Sequence, residues 1–119
     1  MIPHDQPTSE QLVESVREWL EREVMPGTTG RLQFHARVAA NVLAMVEREL
    51  ELGPQQAADH AARLAALGVT DDAALAAAIR SGEIVDDPDF AAAVRDAVLD
   101  SVRDKLRVAN PKYLSDDPA

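Results

Sequence analysis

Arg31-Leu32-Gln33-Phe34-His35-Ala36-Arg37-Val38-Ala39-Ala40-Asn41-Val42-Leu43-Ala44-Met45-Val46-Glu47-Arg48-Glu49-Leu50-Glu51-Leu52 is the stretch that decides the fold. Turning 100° per residue, Leu32, Phe34, Val38, Ala39, Val42, Leu43, Met45, Val46 and Leu50 spread over more than half of a helix circumference. A helix apolar over so wide an arc needs neighbours on several sides. The stretch therefore reads as the long central helix of an all-α fold, a compact bundle of about five helices.

The flanking sequence supplies those neighbours. Upstream, Thr8 is a good N-cap with Gln11 three residues on, the capping-box spacing, and Glu10 sits near the positive end of the helix dipole. Leu12, Val13, Val16, Trp19, Leu20 and Val24 then share one face of a first helix ending near Met25, with Glu14, Glu18, Glu21 and Arg22 opposite. Pro26-Gly27-Thr28-Thr29-Gly30 suits a short connection between antiparallel helices. Downstream, Gly53-Pro54 predicts a stop, with a third helix burying Ala57, Ala61, Leu64 and Leu67. Gly68 ends that helix. Thr70, Asp71 and Asp72 cap a short fourth helix running to about Ser81, and Gly82 closes it.

Glu83 to Asp87 reads as a loop, and Asp87-Pro88-Asp89 as a helix start. Phe90, Val94, Ala97, Val98, Val102, Val108 and Ala109 share a face of the last long helix, which Asn110-Pro111 stops. Met1 to Pro7 reads as an extended arm. Lys112 to Ala119 reads as a tail in which Tyr113 and Leu114 dock and residues from Ser115 onward are disordered. The whole chain is expected to form one domain.

Composition narrows the function. The 119 residues carry 12 Lys and Arg against 21 Asp and Glu, a formal charge of -9. No basic stripe exists to displace counterions from phosphates, so neither nucleic acid nor an anionic membrane is an expected partner. The absence of cysteine removes disulfides, Cys-based zinc sites and thiol nucleophiles. His4, His35 and His60 are too scattered for a metal site, and no glycine-rich phosphate loop, nucleophile elbow or dinucleotide fingerprint is present. No catalytic residue, metal or cofactor is assigned. With no signal-peptide pattern and no apolar run of membrane length, a soluble cytoplasmic protein is expected.

The informative anomalies are ionisable residues inside apolar arcs, because a buried charge is costly unless paired. Wheel positions place Glu23 in the first helix, Arg31, His35 and Glu49 in the central helix, and Lys105 in the last helix there. A short hairpin would bring Glu23 to Arg31 and His35, and Glu49 could meet Lys105. Such a trio could tune His35 as an acid–base or ligand site. The competing reading is a structural ion pair whose side chains reach back to water. Asn41, with Arg37 and Arg48 beside it, could hold an anion or a partner's acidic face.

The run Arg31 to Leu43, with Glu47-Arg48-Glu49-Leu50 and Leu52-Gly53-Pro54, resembles the central signature of a small uncharacterised bacterial family, a domain of unknown function. His4-Asp5-Gln6-Pro7-Thr8 and Asp104-Lys105-Leu106-Arg107-Val108-Ala109-Asn110-Pro111-Lys112-Tyr113-Leu114 resemble its ends. The resemblance implies genes beside aminoglycoside-phosphotransferase-like kinases and acyl-CoA dehydrogenases. Carried onto this sequence, its motif residues are Arg31, His35, Arg37, Asn41, Glu49, Lys105, Asn110 and Tyr113. The expected function is a non-enzymatic accessory module, partnering such a kinase or forming a homodimer. The rivals are a small-molecule or acyl-CoA-pathway site on Glu23, Arg31, His35 and Asn41, and a purely structural subunit.

Overall fold

The capping box at Thr8 forms as the sequence dictates: Gln11 N donates to Thr8 Oγ1 at 3.1 Å, and Thr8 N donates to Gln11 Oε1 at 2.8 Å. It opens α1, Ser9–Trp19, in a computed structural model that describes residues 6–82 and 86–115. The rest is α2, Gly30–Ala66; α3, Asp72–Arg80; α4, Pro88–Ala109; and α5, Pro111–Ser115. Among the described residues the fold is all-α with five α-helices, as expected. Residues 1–5 of the expected arm, 83–85 of the expected loop and 116–119 of the expected tail lie outside the described residues.

The chain divides into two compact units, Met1–Gly53 and Pro54–Ala119, where the sequence reads as one domain. In the N-terminal unit, α1 passes directly into a π-helical turn, Leu20–Val24, closed by Met25 N donating to Leu20 O at 2.8 Å. The carbonyls at its end are capped from the turn and from α2: Thr28 Oγ1 donates to Val24 O at 2.6 Å and Gln33 Nε2 to Met25 O at 2.9 Å. Gly27 is required here, because a Cβ on it would stand 2.8 Å from Glu23 O.

The expected break at Gly53-Pro54 does not occur, and α2 continues to Ala66 with Pro54 inside it. Proline in a helix interior removes one hydrogen bond and crowds the preceding turn, a cost of roughly 3 kcal/mol. Ties further along offset that cost: Gln56 Nε2 donates to Asp104 O at 2.9 Å, and Arg63 pairs with Asp104. The helix ends instead at a Schellman turn, with Val69 N donating to Leu64 O and Gly68 N to Ala65 O, and Gly68 at φ 77.

In the C-terminal unit the inward residues of α2 are Gln56, His60, Arg63 and Leu64, with Leu67 just past its end, while Ala57 and Ala61 are exposed. Their spacing is helical, but the face is more polar than expected, since of Ala57, Ala61, Leu64 and Leu67 only the two leucines turn inward. On α4 the inward line is Phe90, Val94, Ala97, Ser101, Asp104 and Val108, alternating four and three residues apart; Val98 and Val102 point outward. Asp71, not Thr70, caps α3 by accepting from Ala74 N at 2.7 Å. Asp87 caps α4 by accepting from Phe90 N at 3.1 Å, with Pro88 at the first position as expected. Asn110 ends α4, but Pro111 starts α5 where a tail was expected, and Tyr113 is exposed on it.

Candidate functional site

Charge placement is the first distinctive feature of the N-terminal unit. Arg17 Nε pairs with Glu47, its Nη2 donates to Glu47 Oε1 at 3.3 Å, and its Nη1 to Glu21 Oε2 at 3.0 Å. The hydrogen bond to Glu47 is the main cause that raises the Arg17 pKa above its ordinary value, against the opposing effect of burial. A guanidinium so held stays charged, which makes it a tie between α1 and α2 and not a proton donor. Glu47 lies in line with Ala36 and Ala40, two of the few buried apolar residues. Ala36 and Ala40 thus mark the buried side of α2 in this unit.

The C-terminal unit is built around Asp104, which is only 7% exposed. Its Oδ2 stands 2.9 Å from Arg63 Nη2, and its Oδ1 accepts from Arg107 Nη1. The Arg63 contact is electrostatic and poorly aligned, since Oδ2 and Arg63 Nη1 are both buried with no hydrogen-bond partner among the described residues. Beside it, His60 Nε2 lies 2.7 Å from Asp72 Oδ1, and His60 Nδ1 lies 3.3 Å from Ser101 Oγ. Serine, histidine and a carboxylate in series invite comparison with a hydrolytic triad. The geometry argues against it, because Ser101 Oγ already donates its one proton to Ala97 O at 2.9 Å.

Of the residues singled out in sequence, the structure brings Arg31 and His35 together, with Arg31 Nε donating to His35 Nε2 at 3.5 Å, and Phe34 lies edge-on to the His35 ring. Glu23 does not join them. It is exposed and in no ion pair among the described residues, because the π turn adds a residue and carries Glu23 out of the register assumed by 100° steps. Arg37, Asn41, Glu49, Lys105, Asn110 and Tyr113 are exposed as well. Arg17, Glu47, Arg63 and Asp104 went unnoticed. Asp104 was within reach, because it falls on the wheel among Phe90, Ala97 and Val108.

The second distinctive feature is apolar surface. Leu12, Val16 and Trp19 form an exposed line along α1, and Phe34, Val38 and Val42 another along α2. Only Ala36, Ala40, Leu64 and Val94 are buried apolar residues among those described, and no side chain is below 2% exposed. Residues 26–113 match the family model described as a domain of unknown function, DUF6285.

The chain belongs to this family. The match begins at the turn after the π segment and ends in α5, so α1 of this DUF6285 protein precedes it. No curated protein and no solved structure matches the chain. No helix among the described residues is long and apolar enough to cross a membrane, and no three carboxylate or imidazole groups among them are placed to hold a metal ion.

Proposed function

We propose that this DUF6285 protein is a protein-interaction module whose N-terminal unit docks another protein through the apolar line on α1. The observation that carries this reading is the exposure of Leu12, Val16 and Trp19, with Trp19 54% exposed at the end of α1. Contiguous uncovered apolar side chains mark interaction surfaces, and tryptophan is enriched among residues that dominate binding. An aminoglycoside-phosphotransferase-like kinase is the partner that the family resemblance implies, and the cytoplasm is the compartment that the sequence, with no signal-peptide pattern, leads us to expect. The ligand-site rival draws less support, since Glu23 stands apart from Arg31 and His35.

The test is capture from host lysate with tagged full-length chain. Recovery of such a kinase by the wild type, with loss in Leu12→Asp and Trp19→Asp, is the expected result. Equal recovery by both variants would remove the α1 surface from consideration.

A further inference from the structure

We propose that the exposed face of α2 in the N-terminal unit is covered by a second copy of this chain, packed antiparallel across a two-fold axis level with residue 40. This rests on the reading of the chain as an interaction module, and it assigns a different face from the one offered to the partner protein.

Arg31 and Glu49 are 18 residues apart, which is five turns and about 27 Å along a helix, so they lie on one line. Val38 and Val42 fall between them, each within about 20° of that line, with Phe34 and Met45 on one side and His35 and Val46 on the other. Phe34 is 58%, Val38 43% and Val42 51% exposed. By the same wheel this line faces away from the buried Ala36 and Ala40 and from Glu47, which pairs with Arg17 of α1.

Charge then selects the occupant. Arg31 and Glu49 carry opposite signs at the two ends of the stripe, and neither takes part in an ion pair among the described residues. A two-fold contact is self-complementary: if residue i meets j, then j meets i. Laying the stripe antiparallel on its own copy sets Arg31 opposite Glu49 of the second copy at both ends. Val38 then lies beside Val42 of the second copy at the centre, and Phe34 beside its Met45. A parallel arrangement would set Arg31 on Arg31 and Glu49 on Glu49. The charges that looked anomalous inside an apolar arc are thus the ends of a self-complementary surface. Two such stripes cover on the order of 1000 Å², the lower bound for a specific interface, so association in the micromolar range is expected.

The test is sedimentation velocity of purified full-length chain over a range of micromolar concentrations. The wild type should dimerise, and Arg31→Glu or Glu49→Arg alone should weaken the dimer by about tenfold or more, because each puts like charges at both ends. An equimolar mixture of those two variants should restore wild-type association, as should the doubly swapped chain. Val42→Asp should weaken association by roughly a hundredfold through the centre of the contact. All of these residues are exposed in the single chain, so circular dichroism should show unchanged helicity. A wild type that stays monomeric at hundreds of micromolar, or a dimer that neither swap weakens or the mixture does not restore, would overturn the proposal. Because only purified chain is used, failure here is distinct from failure to capture a kinase.

Discussion

At the residue scale, the turn after α1 depends on one missing atom. A Cβ on Gly27 would meet Glu23 O at 2.8 Å, a backbone atom that cannot swing aside. Gly27→Ala should therefore cost about 1–2 kcal/mol, the scale of forced overpacking, seen as a lower midpoint in urea unfolding. Asp104 sets a second expectation. Replacing Arg63 by Met leaves that carboxylate with Arg107 alone, and a loss of about 2–4 kcal/mol follows from removing one partner of a buried pair. A stability unchanged by Arg63→Met would show that Asp104 is satisfied without it. The Arg17–Glu47 pair is partly open to water, so a double-mutant cycle there should return only about 1 kcal/mol of coupling.

At the element scale, helix ends were legible and helix faces less so. Thr8, Asp87, Pro88, Gly68 and Gly82 act where the sequence put them, because caps and positive-φ positions are local chemistry. Pro54 misleads because its break is a local preference overruled by ties at Gln56 and Arg63 that sequence does not display. The continuous helix makes its own prediction: Pro54→Ala should raise stability by about 2 kcal/mol and add helicity in circular dichroism. A loss of stability would mean that the chain needs its break there. The buried side of α2 in the N-terminal unit escaped the wheel for a different reason. Hydrophobic patterning identifies every apolar face whether or not the chain covers it, whereas the buried side of α2 carries Ala36, Ala40 and Glu47, the partner of Arg17.

At the scale of the whole molecule, the chain keeps more large apolar side chains exposed than buried among the residues described. Hydrophobic burial is the main favourable term in folding, so the side chains left exposed contribute little to it in the single chain. Covering either apolar line with another chain adds the missing burial, and binding stabilises the folded form by mass action. The candidate site was only partly legible for the same reason. Arg31, His35 and Glu49 stood out as charges among apolar neighbours, and in the proposed dimer Arg31 meets Glu49 of a second copy, a contact that the sequence of one chain does not display.

The central claim is that the chain's own fold leaves the apolar face of α1 open. Trp19 is the single tryptophan, so its fluorescence reports on that face alone. Iodide quenching of the isolated full-length chain, diluted to nanomolar concentration so that no self-association contributes, tests the claim directly. Red-shifted emission that is readily quenched is expected of a side chain 54% exposed. Blue-shifted emission resistant to iodide would mean that the chain covers this face itself, and the interaction reading would fall.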